Sequence, residues 1–290
     1  MGAAQEARGG RPVTWLITGA GGMLGTDLAA RLDGAVAPTR AELDVRDEAA
    51  VRAFLREHRP EAVVNCAGWT AVDDAEANED AALAVNGAAV AGLSAACAEA
   101  GATFVQVSTD YVFDGSATEP YAEDAPTDPV NAYGRTKLAG ERAVLESGGG
   151  YVVRTAWLYG AHGGNFVRTM MRLAAERDTV DVVDDQIGQP TWTGDLADQI
   201  VTLVRSDAPW GVYHGTNGGR TSWHGLAREV FGLLGLDPDR VRPTTSDRFP
   251  RPAPRPAFSV LGHDRWAKAG LAPMRDWREA LHAAWPVLSP

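Results

Sequence analysis

A glycine triplet near the start of the chain limits the fold more than any other feature. Val13-Thr14-Trp15-Leu16-Ile17-Thr18 reads as a short buried strand, and Gly19-x-x-Gly22-x-x-Gly25 follows at once. Leu24, Leu28 and Leu32 then recur on one helical face. Strand, glycine turn and helix in that order is how a dinucleotide-binding βαβ unit begins. Glycines permit the tight turn, admit a pyrophosphate close to the backbone and let helix and strand pack closely. The helix N-terminus adds free N–H groups and a positive dipole end. The spacing is one residue longer than G-x-G-x-x-G.

The alternation continues. Ala35-Val36-Ala37-Pro38 is a weak second strand, and a helix is expected over about residues 49–58. Ala62-Val63-Val64-Asn65-Cys66-Ala67-Gly68 is a buried strand ending in small residues, and an alanine-rich helix is expected over about residues 78–100. Thr103-Phe104-Val105-Gln106-Val107 is a further strand, with Ser108-Thr109 at its end. This order predicts an α/β fold, a Rossmann-type doubly wound parallel sheet whose ligands bind beyond the carboxyl ends of the strands. The glycine loop, Ala67-Gly68 and Ser108-Thr109 all fall on that side. At the end of the second strand an acidic residue would read an adenosine 2′-hydroxyl; Thr39-Arg40 stands there instead, and a guanidinium suits a 2′-phosphate. The expected cofactor is NADPH, with NADH possible, and Asp44 is a candidate adenine-side contact.

After the strand Tyr151-Val152-Val153-Arg154-Thr155-Ala156-Trp157 the character changes. Residues 12–154 plus about 188–208 read as the dinucleotide-binding domain. Residues from about 155 to 187 plus 209–290 read as a smaller C-terminal substrate-binding α/β domain, and residues 1–11 as a disordered tail. Arg248-Phe-Pro-Arg-Pro-Ala-Pro-Arg-Pro256 is an extended basic arm that can lay Arg251 or Arg255 on a diphosphate.

The chemistry concentrates between Ser108 and Glu141. Tyr133 and Lys137 are four residues apart, one helical turn on one face. An ammonium about 4 Å from a phenol favours the phenolate by up to ~4 kcal/mol at an effective dielectric of ~20, so Lys137 is expected to bring Tyr133 toward neutral pH. With Thr109 beside a nucleotide fold, the pair forms a carbonyl–alcohol redox site. Thr109 donates to the carbonyl oxygen, Tyr133 delivers the proton, and Lys137 tunes Tyr133 and can hold the nicotinamide ribose.

Composition narrows the partners. The formal net charge of −11 argues against nucleic acid, so an anionic ligand must be held by local arginines and backbone amides. The two cysteines, Cys66 and Cys97, lie in apolar surroundings without metal-type spacing and read as buried thiols in a reducing cytoplasm. The six histidines lack paired spacing, so no metal is expected. The first residues lack a signal-peptide core, and no apolar run is expected to approach the ~20 residues of a membrane span.

Taken together, the motifs resemble an extended short-chain dehydrogenase/reductase, and more narrowly the dTDP-4-dehydrorhamnose reductase family, over about residues 13–261. They are the glycine loop, Leu43-Asp44-Val45, Thr70-Ala71-Val72-Asp73, Ser108-Thr109-Asp110-Tyr111-Val112-Phe113-Asp114-Gly115 and Tyr133-Gly134-Arg135-Thr136-Lys137-Leu138-Ala139-Gly140-Glu141. Further on come Arg154-Thr155-Ala156-Trp157-Leu158-Tyr159, Asn165-Phe166, Asp185-Gln186-x-Gly188-x-Pro190-Thr191 and Arg255-Pro256. The resemblance implies Thr109, Tyr133 and Lys137 as catalytic groups. It implies cofactor contacts from Gly19, Gly22, Met23, Leu24, Gly25, Arg40, Asp44, Val45, Ala67, Gly68, Tyr133 and Lys137. For a dTDP-sugar it implies Thr70, Val72, Thr109, Asp110, Tyr111, Trp157, Asn165 and Arg255, with Tyr111 and Trp157 near the deoxysugar. The implied reaction is NADPH-dependent reduction of a 4-keto-6-deoxyhexose, foremost dTDP-4-dehydro-L-rhamnose.

Two departures bear on this expectation. Bacterial members of the family can pair through Mg²⁺ held by glutamates; here Asp27 and the run Trp192-Thr193-Gly194-Asp195 stand in those regions. A metal-bridged dimer is not expected, and monomer or homodimer stays open. A 4,6-dehydratase would need an acid pair in a Thr-Asp-Glu run, whereas Tyr111 follows Asp110. An epimerase fits the motifs less well. The rivals are a related dTDP-sugar 4-ketoreductase or dihydrostreptose-type synthase of secondary metabolism, and, from another class, a catalytically weak regulatory subunit with the same fold.

Overall fold

The computed structural model describes residues 13–289. The tail expected over residues 1–11 lies outside the described residues. A five-stranded parallel sheet forms the centre, in the order Trp15–Thr18, Ala62–Asn65, Thr103–Thr109, Tyr151–Thr155 and Gly211–His214. On the other side of the first strand, Leu16 makes a single parallel bridge to Val36, which is all that forms of the weak second strand. The chain therefore leaves the first strand in one direction and returns on its other side. That reversal opens a crevice at the strands' carboxyl ends. Gly211–His214, expected with the second domain, is the edge strand of this main sheet.

Both faces of the sheet are apolar, as a buried parallel sheet requires. On one face Trp15, Ile17, Val64, Val105 and Val153 meet Leu24 and Leu28 of the first helix (Met23–Arg31) and Leu196 and Ile200 of Thr193–Arg205. On the other, Leu16, Val63, Phe104 and Val152 meet Val51 and Leu55 of Glu48–His58 and Val90 and Leu93 of the long alanine-rich helix. A separate cluster joins the helices Phe166–Glu176, Trp223–Leu233 and Trp277–Leu288 to Val182 and Val241. Those two residues belong to the strands Val180–Val183 and Val241–Thr244, which pair in parallel. The second of these strands has no clear periodic signature in the sequence.

One expectation is corrected here. The helical run Glu79–Ala100, 22 residues long, is by length and composition apolar enough to cross a membrane. Alanine accounts for this, since it raises hydropathy without bulk. In the fold the run packs against Glu48–His58 and the Ala132–Glu146 helix. It is also broken by a π-type turn at Ala84–Ala88.

The helix Ala132–Glu146 carries Tyr133 and Lys137, and a buried ion pair fixes its height on the sheet. Arg154, in the fourth strand, donates from Nε and Nη2 to both oxygens of Glu141, the closest contact being 2.7 Å. Ser108, at the end of the third strand, donates to Glu141 Oε1 at 2.5 Å. Arg154 also lies over the Phe113 ring, 5.0 Å from its centroid. His214, driven well below its ordinary pKa by burial and then by the Arg154 charge, is neutral. Its Nδ1–H donates to the Gly262 carbonyl at 2.9 Å. Nε2 is thereby left as an acceptor facing Arg154 Nη1 at 3.5 Å.

Arg154 is 4% exposed and Glu141 1%, so removing one partner leaves an uncompensated buried charge. Arg154→Ala is expected to cost roughly 3–5 kcal/mol in urea unfolding. A loss below about 1 kcal/mol would show that the pair does not hold the helix.

Candidate active site

The glycine loop is shaped by contact. Gly19 has φ +68°, and a Cβ there would lie 2.5 Å from the Ala67 backbone nitrogen. No larger residue fits where the first strand end meets the Ala67-Gly68 turn. The Met23–Arg31 helix starts immediately after, with Gly22 at its N-cap and no side-chain cap, so its first N–H groups face the crevice free.

The helix carrying Tyr133 and Lys137 approaches as closely. A Cβ on Gly134 would collide with the Tyr111 carbonyl oxygen. Asn131 caps this helix by accepting from Gly134 N at 2.8 Å, and its amide donates to Pro254 O at 2.9 Å. The Pro-Arg arm is thus tied to the start of the Tyr133 helix.

A cavity of about 740 Å³ runs from the glycine loop to the strand ends. Of the expected cofactor residues, Gly19, Gly22, Met23, Leu24, Gly25, Arg40, Asp44, Val45, Ala67, Gly68, Tyr133 and Lys137 all line it. Of the expected sugar residues, Thr70, Val72, Thr109, Asp110, Tyr111 and Trp157 line it. Asn165 and Arg255 do not. Asn165 caps the Phe166–Glu176 helix through Arg168 N at 3.0 Å and donates to Gly160 O at 3.0 Å. Arg255 pairs with Asp73 at 2.9 Å and donates to Ala253 O at 2.7 Å. Arg251 is exposed on the arm.

At the outer end, Asp44 is gripped by Arg46, with the nearest contact 2.5 Å, and Arg40 stands 3.9 Å from the same carboxylate. The Arg46 hydrogen bonds hold the Asp44 carboxyl far below its ordinary range. Arg40 is largely exposed and Arg46 also lines the cavity, so two guanidinium groups flank one carboxylate there.

At the inner end, Lys137 is 7% exposed and donates to Val107 O at 2.6 Å. Burial brings its pKa down to about 8, against the opposing pull of Glu141 and Cys66. The expectation that Lys137 draws the Tyr133 phenol toward neutrality is corrected. Burial pushes Tyr133 up to about 12, the Thr109 hydroxyl opposes this, and Asp110 adds to it. The ammonium is turned to the Val107 carbonyl, and the phenol faces a hydroxyl and a carboxyl instead. Tyr133 therefore keeps its proton through the physiological range. Tyr111 stands edge-on to it, ring centroids 5.8 Å apart.

Several further residues line the cavity that were not singled out as site residues from the sequence. Trp223 stacks on Trp157 at 3.5 Å and 7° between planes, and donates from Nε1 to Gln186 Oε1 at 3.2 Å. Trp157 has φ +47°, a conformation a bulky residue adopts only under constraint. The stack and the close Gly188 backbone hold it there. Thr155 sits opposite Thr109 on the next strand with a buried, unpartnered hydroxyl. Trp69, Cys66 and Leu158 complete the wall.

Asp27 accepts from the Thr193 hydroxyl at 2.5 Å and lies 3.8 Å from Arg31, which also pairs with Asp198. Among the described residues, no group of three or more His, Cys, Asp or Glu is arranged to hold a metal.

A family model described as the RmlD substrate binding domain matches residues 13–288. A dTDP-4-keto-6-deoxy-D-glucose reductase of Streptomyces niveus is 57% identical over 281 residues, 95% of this chain and 97% of that one. A dTDP-4-dehydrorhamnose reductase of Streptomyces griseus is 56% identical over 284 residues, 94% of this chain and 93% of that one. Among solved structures, a dTDP-4-dehydrorhamnose reductase of Bacillus anthracis in complex with NADP superposes with a TM-score of 0.91 at 35% identity. It covers 95% of this chain and 99% of its own.

Asp110, 2% exposed, is pushed up to about 6 from the ordinary 3.8, chiefly by burial. The folded state then binds more protons than the unfolded state between about pH 4 and pH 6. Stability on this account is present below that window and falls as pH rises through it, by roughly 3 kcal/mol. In Asp110→Asn this fall is absent. The difference in unfolding free energy between variant and parent should shift by roughly 2–3 kcal/mol in the variant's favour from pH 4 to pH 7. A difference that stays constant with pH would mean that Asp110 has an ordinary carboxyl pKa.

Proposed function

The chain belongs to the dTDP-4-dehydrorhamnose reductase family, and from that membership we propose that it reduces the 4-keto group of a dTDP-4-dehydro-6-deoxyhexose with NADPH, foremost dTDP-4-dehydro-L-rhamnose to dTDP-L-rhamnose. The observation that carries the reading is the meeting of Thr109, Tyr133 and Lys137 in the cavity that begins at the glycine loop. When bound, NADPH supplies the hydride that reduces the keto carbon.

The chain's own residues do the rest. The glycine loop and the uncapped helix start receive a pyrophosphate, and the free N–H groups need no side chain to do so. Arg40 and Arg46 offer a 2′-phosphate two guanidinium groups, while Arg46 neutralises Asp44, which would otherwise repel it. Negative charge grows on the keto oxygen as the carbon is reduced. Thr109 and Tyr133 hold that oxygen with hydroxyl donors, and Tyr133 gives it a proton. A phenol held at about 12 is protonated at pH 7, the state a proton donor needs. Lys137, fixed by the Val107 carbonyl, presents its remaining N–H donors to the cavity. The Trp157–Trp223 stack and Tyr111 give the deoxysugar an apolar wall.

A second reading concerns the sugar alone. The Streptomyces niveus relative is named for dTDP-4-keto-6-deoxy-D-glucose, which favours a sister substrate with a different ring configuration. Both keto sugars should therefore be offered with NADPH, and the products identified by NMR. NADPH consumption with one of them and formation of the 4-hydroxy sugar is expected. Tyr133→Phe should bind NADPH as the parent does and turn over at least ~100-fold more slowly. Tight NADPH binding without oxidation, with both sugars, would sink the reductase reading. Arg40→Ala should raise the KM for NADPH about tenfold or more and leave that for NADH within about twofold, as expected for a lost phosphate contact. Equal losses would remove Arg40 from phosphate recognition.

A further inference from the structure

Asp110 stands inside the site but takes no part in the chemistry described so far. Its side chain is 2% exposed and lines the cavity. Thr109 Oγ1 donates to its Oδ1 at 3.0 Å. Oδ2 is buried and has no hydrogen-bond partner, although the Ser259 hydroxyl lies beside the carboxyl. The ionisable groups around it are Tyr111 on its own turn, Tyr133 and Lys137 on the facing helix, and the Arg255–Asp73 pair beyond Tyr111. Arg154 is occupied by Glu141 at the neighbouring Ser108 position. Among the described residues, no cation forms an ion pair with Asp110.

We propose that Asp110 is a positioning residue that holds a proton while the site is loaded, and that this proton aims the Thr109 hydroxyl at the keto oxygen. The inference rests on the reductase reading above. It follows from counting protons. A hydroxyl has one proton and two lone pairs. One lone pair of Thr109 Oγ1 accepts from Tyr111 N–H at 3.2 Å. With Asp110 ionised, the Thr109 proton goes to Oδ1 and is withheld from the cavity and from the adjacent Tyr133 oxygen. The Thr109 hydroxyl then points no proton into the cavity.

With Asp110 protonated on Oδ1, the direction reverses. The carboxyl donates to Thr109, and both Thr109 lone pairs are filled. The Thr109 proton is free for the keto oxygen, beside the phenol that delivers the other. An ionised carboxylate is also the costlier state once ligand has displaced water, because burial already outweighs the Ser259 and Thr109 hydroxyls that favour it. Loading the site therefore favours the arrangement that reaction needs. No bond is made or broken at Asp110, and its proton stays with it through the reduction.

Two measurements decide this. Infrared difference spectra of the NADP⁺-loaded parent, followed from pH 5 to 9, read the protonated carboxyl band, which Asp110→Asn identifies by losing it. The band should persist at least ~1 pH unit higher in the loaded enzyme than in the free enzyme. In turnover with NADPH and the keto sugar, the parent's kcat should fall about tenfold per pH unit above that midpoint. Asp110→Asn, whose amide donates to Thr109 at every pH, should lack this limb. A merely structural aspartate would lower kcat equally at all pH values. The proposal is overturned if the band is absent from the loaded parent above pH 6, or if the variant keeps the parent's limb. Failure of the parent to oxidise NADPH would instead count against the reductase reading, while the infrared band still reports the Asp110 proton.

Discussion

The site depends on the buried pair between Glu141 and Arg154. One partner is on the helix that carries Tyr133 and Lys137, the other on the fourth strand, and Ser108 of the third strand closes the group. Burying two charges is costly unless geometry and extra hydrogen bonds compensate. Here they do: the contact is bidentate, Ser108 adds a donor, and Phe113 covers the guanidinium face. Helix and sheet are thereby locked in one register. Within that register Gly134 touches the Tyr111 carbonyl, and Lys137 reaches the Val107 carbonyl at 2.6 Å. A slip of one helical turn, about 5.4 Å, would separate every one of these contacts.

The parts of the fold that local chemistry dictates were legible in the sequence. The glycine loop and the alternation of strands and helices each rest on residues within a few positions of one another. So does the four-residue spacing of Tyr133 and Lys137. What the spacing could not give was the direction of each side chain. Lys137 turns to a backbone carbonyl of the third strand, and Tyr133 turns to Thr109 and Asp110, so sequence neighbours became weak electrostatic neighbours. Burial then moved the phenol away from neutrality. Trp223 reaches the cavity only through the tertiary fold, and nothing near it in the chain announces it. Asn165 and Arg255 were marked by motifs, and in the fold a helix cap and an ion pair engage them.

The acidic net charge sharpens how the anionic ligands are received. At the outer end Asp44 is matched by Arg46 and approached by Arg40, so the region is cationic by one guanidinium. At the inner end Lys137 lines the cavity, its ammonium anchored by the Val107 carbonyl. Between these ends the lining is glycine, methionine and leucine, where backbone N–H groups are the donors. An extended anion is thus met by charge at its ends and by dipoles along its length. No broad basic surface is needed, and an overall charge of −11 is compatible with tight local recognition.

Strain marks the remaining boundary of the site. Trp157 is held at a positive φ, which costs of order 1–3 kcal/mol for a non-glycine residue. The Trp223 stack and the Gly188 backbone, where a side chain would strike the Trp157 ring, offset that cost. Both supports come from the second cluster of helices and its loops, whereas Trp157 itself follows the fourth strand of the central sheet. This wall of the cavity is therefore built across the junction of the two packing units. Substitutions in the second unit can tilt the indole without touching Thr109 or Tyr133, because the indole wall and the hydroxyl pair are anchored to different parts of the fold.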